Sequence, residues 1–348
     1  MIKEKDFSMD DSLLDGFARP LSELCGDEPL RRAEAGEGLA AMWASIDALG
    51  YTDALVPETL GGAGLALADF YPLVFAAGKA GLPLPFAETA MARAILASAG
   101  QDPGRGCIAI APALPAAGSA IVCRDVPGAG VATHVLVSWR GEWLWLRCDR
   151  AEHTPGSYRP LVSASLRWTG PEAATLRLPT QDADAEAICS ALHAAGMAGA
   201  MSRIQDLCVA YASDRRQFGR AIGQFQAVQQ ELSVLAEQVA AATLAARLGC
   251  AASGGYLPDA LLAATARLRA GEAAARVAAI AHAVHGAIGI TEEHVLGLFT
   301  RRLHEWRAAP ATESRCAARL GNALLAEPAL TVFDFVRTRL MAAPMEAS

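Results

Sequence analysis

Three stretches of the chain hold residues whose types and spacing could do chemistry. His282, His285, Glu293 and His294 are of metal-ligand type, and His282 and His285 sit three apart, on one helical face. A glycine-rich break, Gly286-Ala287-Ile288-Gly289, separates that pair from Glu293, so imidazoles facing polar groups inside a helical bundle are expected rather than ligation. The same glycine run lacks the lysine of a phosphate-binding P-loop, and no G-x-G-x-x-G follows a strand. Arg215-Arg216-Gln217-Phe218-Gly219-Arg220 and Gly61-Gly62-Ala63-Gly64 are the other two stretches. Taken singly, the first reads as the solvated end of a helix and the second as an ordinary turn.

The elements that must position these residues change period twice. Leu39, Met42, Trp43, Ile46 and Leu49 repeat at three to four and predict a helix. It is broken at Val56-Pro57-Glu58-Thr59-Leu60-Gly61-Gly62-Ala63-Gly64-Leu65, after which a second apolar helix runs from about Leu67 to Ala80. From about residue 104 the period becomes two. His134 to Trp139 and Glu142 to Arg147 flank Arg140-Gly141, and Cys107 to Ala111, Ser119 to Cys123, Leu161 to Arg167 and Ala174 to Leu178 are further short runs. These predict a small antiparallel sheet domain.

Helical spacing returns near residue 185. Leu192, Met197, Met201, Ile204, Cys208 and Tyr211 form one stripe; Phe225, Val228, Leu232, Leu235 and Val239 form another. Pro258-Asp259 and Thr291-Glu292-Glu293 read as helix starts. The fold expected is mainly α with a small β domain: an N-terminal helical domain over 1–103, a middle antiparallel β domain over 104–182 and a C-terminal four-helix bundle over 183–348.

Composition narrows the function classes. The chain has 348 residues, 53% of them hydrophobic, enough for a large core, and a net charge of -7 with basic and acidic residues interspersed, which offers nucleic acid no footprint. The opening residues lack the apolar core of a signal peptide, and no run of about eighteen apolar residues predicts a membrane span, so a cytoplasmic, soluble protein is expected. Eight cysteines are spread singly with no C-x-x-C pair, which argues against a disulfide framework and a structural zinc site.

In order and in register, the motifs are narrower than each is alone. Arg215-x-x-Phe218-Gly219-x-x-Ile222-x-x-Phe225-Gln226 resembles the R-x-x-F-G-x-x-I-x-x-F-Q signature of acyl-CoA dehydrogenases. Val56 to Leu65 is similar to that family's V-P-E-x-x-G-G-x-G-L loop, and His285 to His294 resembles its H-G-G-x-G-F-T-x-E-H. Together they cover roughly residues 40 to 320.

The resemblance implies FAD lying between the sheet domain and the bundle, with part of it crossing to a neighbouring subunit. Arg215 would then neutralise the pyrophosphate, Gln217 make a polar contact and Phe218 lie near the adenosine. Ile222, Phe225 and Val228 would border the cofactor where it crosses the dimer, and Gly286, Ala287 and Gly289 its other end. The implied reaction is α,β-dehydrogenation of an acyl-CoA thioester: a buried carboxylate takes the α-proton while the flavin takes the β-hydride. An electron-transfer flavoprotein is the implied acceptor, and a homo- or hetero-oligomer the implied assembly.

The sequence departs from the family where that carboxylate belongs. The usual position falls at about Pro310 and the alternative at about Cys189, and neither can take a proton as the family's glutamate does. Glu313 and Glu186 lie three residues away from these, and Glu313 is the carboxylate favoured as base. The family's T-E-P-x-x-G-S-D segment is replaced by Ala111 to Gly118, a glutamine by Ala283 and a glycine by Ala287. Two functions follow: a complete FAD-dependent acyl-CoA dehydrogenase, or a catalytically incomplete subunit contributing part of the FAD site in a hetero-oligomeric one.

Overall fold

A glycine at position 62 is obligatory, because a Cβ there would lie 2.1 Å from the Val56 carbonyl oxygen. In the computed structural model, which describes residues 11–159, 161–251 and 255–341, this glycine closes the Val56–Leu65 turn. Gly64 N–H donates to Val56 O at 2.8 Å across it. Before the turn come α1 (Asp11–Leu24), α2 (Asp27–Glu34) and α3 (Leu39–Ala48); after it come α4 (Leu67–Ala80), as predicted, and α5 (Phe86–Ser98). Arg93 of α5 is buried and bonded to Asp47 at 2.8 Å and to Asp53 at 3.0 Å, which ties the turn to the helices on either side.

The β region holds β1 (Ile108–Pro112), β2 (Ile121–Val126), β3 (His134–Trp139), β4 (Glu142–Arg147), β5 (Glu152–Pro155), β6 (Ala164–Trp168) and β7 (Leu176–Pro179). β3 and β4 match their predicted runs residue for residue. Arg140 and Gly141, at φ 51° and 82°, make the two-residue turn between them. The strands form two sheets, β1-β3-β4-β7 and β2-β6-β5. Pairing is antiparallel except between β1 and β3, which run parallel because the chain between them crosses to place β2 in the other sheet. β5 escaped prediction because all four of its residues are exposed, leaving no alternation to read. The strand expected from Leu161 starts at Ala164, since Leu161 takes a left-handed φ of 61°.

The bundle comprises α6 (Ala185–Asp214), α7 (Gln226–Cys250), α8 (Ala260–His285) and α9 (Leu296–Ala308), followed by α10 (Glu313–Leu325) and the short α11 (Val332–Phe335). Asp184 caps α6 by accepting from Glu186 N–H, and Asp259 caps α8 by accepting from Leu261 and Leu262 N–H. The second expected helix start is corrected. Thr291 donates its hydroxyl back to Ile288 O, and the helix begins at Leu296, because Glu292 and Glu293 turn their carbonyls toward Arg31 instead. α8 is long and apolar enough, by composition, to cross a membrane, but it packs against α6, α7 and α10.

α6 is the axis of the fold. Its residues 187–201 are buried without a break, and it meets α4 backbone to backbone. A Cβ on Gly78 would lie 2.0 Å from Gly196 O, and one on Gly199 would lie 2.0 Å from Phe75 O. All eight cysteines are buried and unpaired.

Candidate functional site

The first and third motifs converge at one end of the bundle. Arg215 ends α6, its N–H donating to Tyr211 O at 2.9 Å. A two-strand hairpin, β8 (Arg216–Gln217) with β9 (Arg220–Ala221), then turns through Phe218 and Gly219 at φ 51° and 81°. The hairpin carries Phe218 outward until 90% of it is exposed. Arg215 and Gln217 are exposed beside it; Ile222, Phe225 and Val228 are half-buried at its base. Arg220 lies 4.0 Å over the Phe225 ring, which holds the hairpin upright. The Arg215 guanidinium has no ion-pair partner among the described residues.

Tyr211 stacks on His285 at 4.6 Å, and His285 lies 4.6 Å from His294. This aromatic column brings the glycine run beside the hairpin's helix, with Gly286 and Ala287 exposed and Gly289 buried. His285 Nδ1 meets Ala281 O at 2.8 Å, and His282 Nε2 meets Thr300 Oγ1 at 3.1 Å. Burial holds His285 and His294 below the usual histidine pKa. Among the described residues no group of three or more ligand-type side chains is placed around a metal position.

The carboxylates near the two expected base positions are both held by arginines. Glu313 opens α10 and is gripped by Arg307, Oε1 2.7 Å from Nε and Oε2 3.1 Å from Nη2. That hydrogen-bonded guanidinium keeps its pKa below the ordinary glutamate value, the reverse of the shift a general base needs at neutrality. Glu186 pairs with Arg315 and, at 3.3 Å, with Arg319. Cys189 is fully buried against Ile110 O, and Pro310 stands in the turn between α9 and α10.

Between these two positions lies a seam where the sheet domain meets the bundle, and sequence reasoning missed the groups that fill it. Glu305 of α9, 3% exposed, accepts a hydrogen bond from Ser163 Oγ in the loop before β6 and pairs with Arg302. Burial pulls Arg302 down to about 10, leaving it cationic at neutral pH. Opposite, His193 of α6 sits 3.2 Å from Glu88 of α5, and both are buried. Desolvation lowers the His193 pKa, against the opposing pull of Glu88. A cavity of about 40 Å³, walled mostly by α4 and the start of α5, touches Glu88, His193, Arg302 and Glu305, and a wider opening of about 370 Å³ lies beside Tyr158, His304, Arg307 and Glu313. The available signal was a charged pair three apart, Arg302 and Glu305, at positions flanking Leu303 on an otherwise apolar helix face.

The family model for the acyl-CoA dehydrogenase C-terminal domain matches residues 190–309. The chain is 33% identical over 266 residues to acyl-CoA dehydrogenase IpdE2 of Mycobacterium tuberculosis (strain ATCC 25618 / H37Rv), spanning 76% of this chain and 80% of that one. In fold it resembles the ChsE4-ChsE5 complex from Mycobacterium tuberculosis, with a TM-score of 0.77 at 20% identity over 92% of this chain and 99% of that one. It also resembles a Tcur3481-Tcur3483 steroid ACAD variant, with a TM-score of 0.78 at 22% identity over 92% and 98%. The chain belongs to the acyl-CoA dehydrogenase family of flavoprotein oxidoreductases.

FAD, the cofactor of that family, fits this chain at one end. The outward hairpin offers an exposed guanidinium, an amide and an exposed ring, the donor set for a pyrophosphate and an adenosine. Nearer the expected base positions, the cavity of about 40 Å³ at Glu88, His193 and Glu305 is far below the roughly 300 to 1,000 Å³ of ligand pockets, whereas the opening of about 370 Å³ beside Tyr158, Arg307 and Glu313 falls within it.

Proposed function

We propose that this chain is the partner subunit of a hetero-oligomeric, FAD-dependent acyl-CoA dehydrogenase. It would present Arg215, Gln217 and Phe218 to a flavin seated in a homologous chain that supplies the catalytic carboxylate. One observation carries this reading: Glu313 and Glu186, the carboxylates near the two expected base positions, are each held by arginines, while the hairpin bearing Arg215, Gln217 and Phe218 is exposed. An exposed aromatic beside an exposed guanidinium is well suited to an interface. One of the similar folds is a ChsE4-ChsE5 complex, which supports a paired assembly.

The reaction of such an assembly removes an α-proton and a β-hydride from an acyl-CoA and yields the 2-enoyl thioester, the flavin supplying the hydride acceptor. An electron-transfer flavoprotein would reoxidise it, in the cytoplasm. Because one similar fold is named a steroid ACAD, steroid-derived acyl-CoAs are the first substrates to assay. The test is the flavin absorbance of the chain purified alone and co-purified with a base-bearing homologue. A colourless lone chain and a yellow complex are expected; equimolar flavin on the lone chain would overturn the reading in favour of a complete enzyme.

A further inference from the structure

At the other end of α6 from the Arg215 hairpin, ~45 Å along the helix by the rise of its 30 residues, lies another cavity, of about 110 Å³. It sits where three parts of the molecule meet: the end of α5, strands β4 and β7 with the loop leading into α6, and the loop leading into α8. Its walls are pinned. Thr180 gives both its N–H and its hydroxyl to Gly141 O, at 3.0 and 3.1 Å, which ties the loop before α6 to the β3–β4 turn. The Tyr256 hydroxyl donates to Ser98 Oγ at 3.2 Å, which ties the loop before α8 to α5.

One group on the wall is left without a partner. Trp143 of β4 lines the cavity and is 1% exposed, and its indole N–H is buried with no hydrogen-bond acceptor among the described residues. A buried donor left unanswered is costly, and nearly all such groups in folded chains find an acceptor. The Ser98 hydroxyl, having accepted from Tyr256, keeps its own proton to donate. Two donors therefore border the space.

The rest of the lining selects the acceptor. Ile95, Leu178 and Leu257 are apolar, Asp182 is the one charged residue on the wall, and no lysine or arginine lines it. An anion would meet the Asp182 carboxylate with no cation to offset it. Water is a poor filler, because one molecule takes about 10 to 15 Å³ of such a volume and needs two to four polar partners, which the apolar residues do not supply. The space approaches the roughly 150 Å³ that holds benzene, which suits a neutral molecule of about six heavy atoms. We propose that this cavity is a binding site for a small neutral carbonyl compound, its oxygen taking the Trp143 N–H and its hydrocarbon body lying against Ile95, Leu178 and Leu257. The site is separate from the cofactor hairpin and stands independently of the partner-subunit reading.

Cyclopentanone is the probe, and cyclopentane, the same ring without the oxygen, is its control. The six tryptophans give six indole N–H resonances in a proton–nitrogen correlation spectrum of the full-length chain, and Trp143 alone lines the cavity. Titration with cyclopentanone is expected to move one of the six, saturating with a Kd of about 1 mM, in keeping with the ligand efficiency of so small a molecule. Cyclopentane at the same concentration should leave that resonance in place. Ala183→Leu, which narrows the cavity from the α6 side, should abolish the response; Leu257→Phe narrows it from the α8 side should the first variant not fold. Shifts spread over several indoles, an equal response to cyclopentane, or a response that survives the filling variants overturns the site. A resonance that stays put up to tens of millimolar cyclopentanone while its proton exchanges with water overturns it too, and makes the cavity a water pocket.

Discussion

Glu313 and Arg307 meet in a two-pronged ion pair that spans the turn from α9 to α10. Arg267, fully buried beneath, donates to the carbonyls of Trp306 and Arg307 and holds the end of α9 from the other side. The pair is partly exposed, so its worth is set by screening to a few tenths and at most about 1 kcal/mol. Glu313→Gln should lower stability by that amount at neutral pH. Because the folded pKa is depressed, the contribution is complete above the unfolded glutamate value and is lost as pH falls through the folded one. Urea denaturation of both proteins down through the glutamate range checks this. In the assembled enzyme the same variant should leave flavin bleaching by acyl-CoA unchanged; a loss of ~10² to 10⁴-fold would make Glu313 the base after all.

Arg215→Ala should leave the lone chain's thermal unfolding within error of wild type, since the side chain is exposed and makes no ion pair among the described residues. In the co-purified complex it should weaken FAD by roughly tenfold to a hundredfold, the worth of a charge-assisted bond of about 1.5 to 3 kcal/mol. Flavin content after dialysis reads this directly. Unchanged retention would remove Arg215 from the cofactor site.

Gly78→Ala should destabilise the chain by about 1 to 3 kcal/mol, the usual cost of overpacking, because the added methyl would meet the Gly196 carbonyl. Gly104→Ala is the control: its φ of 67° is strained for alanine, but nothing lies within 4 Å. A thermal melt in which Gly78→Ala loses no more stability than Gly104→Ala would mean that the α4–α6 contact yields to the added methyl.

His193 must lose its neutral state to accept a proton, with Glu88 favouring that proton and Arg267 opposing it. Its folded pKa is depressed below the unfolded value. Stability therefore falls as pH drops below the ordinary histidine pKa of about 6.5, by at most about 1.4 kcal/mol per pH unit for this one group. His134, His285, His294 and His304 are shifted the same way and add to the fall. His193→Gln should make the acid limb shallower between neutral pH and the mid-fives, measured by urea midpoints. An unchanged limb would mean that the other histidines carry it.

Periodicity made the framework legible because α4, β3, β4 and the buried stripes of α6 and α7 alternate in the way their burial requires. β5 was invisible because nothing in it is buried, and the parallel β1–β3 pairing because register between distant strands leaves no local trace. The site divided in the same manner. Arg215 to Gly219 was readable as a linear motif, since a hairpin tip is contiguous in sequence. The Glu88–His193 and Ser163–Glu305 contacts join residues 105 and 142 positions apart, and only the fold brings them together.

Every sulfhydryl in the chain is inside it, and burial pushes Cys25, Cys148, Cys208 and Cys250 up to about 12. A thiolate-seeking dye consequently has no target until part of the molecule opens. The sulfurs are distributed as a built-in map: Cys25 among the first helices, Cys107, Cys123 and Cys148 in the sheet region, and Cys189, Cys208, Cys250 and Cys316 along the bundle. Timed labelling followed by peptide mass mapping would order the regions by how readily each breathes. Repeated with a partner chain present, it would outline the footprint of assembly without a single substitution.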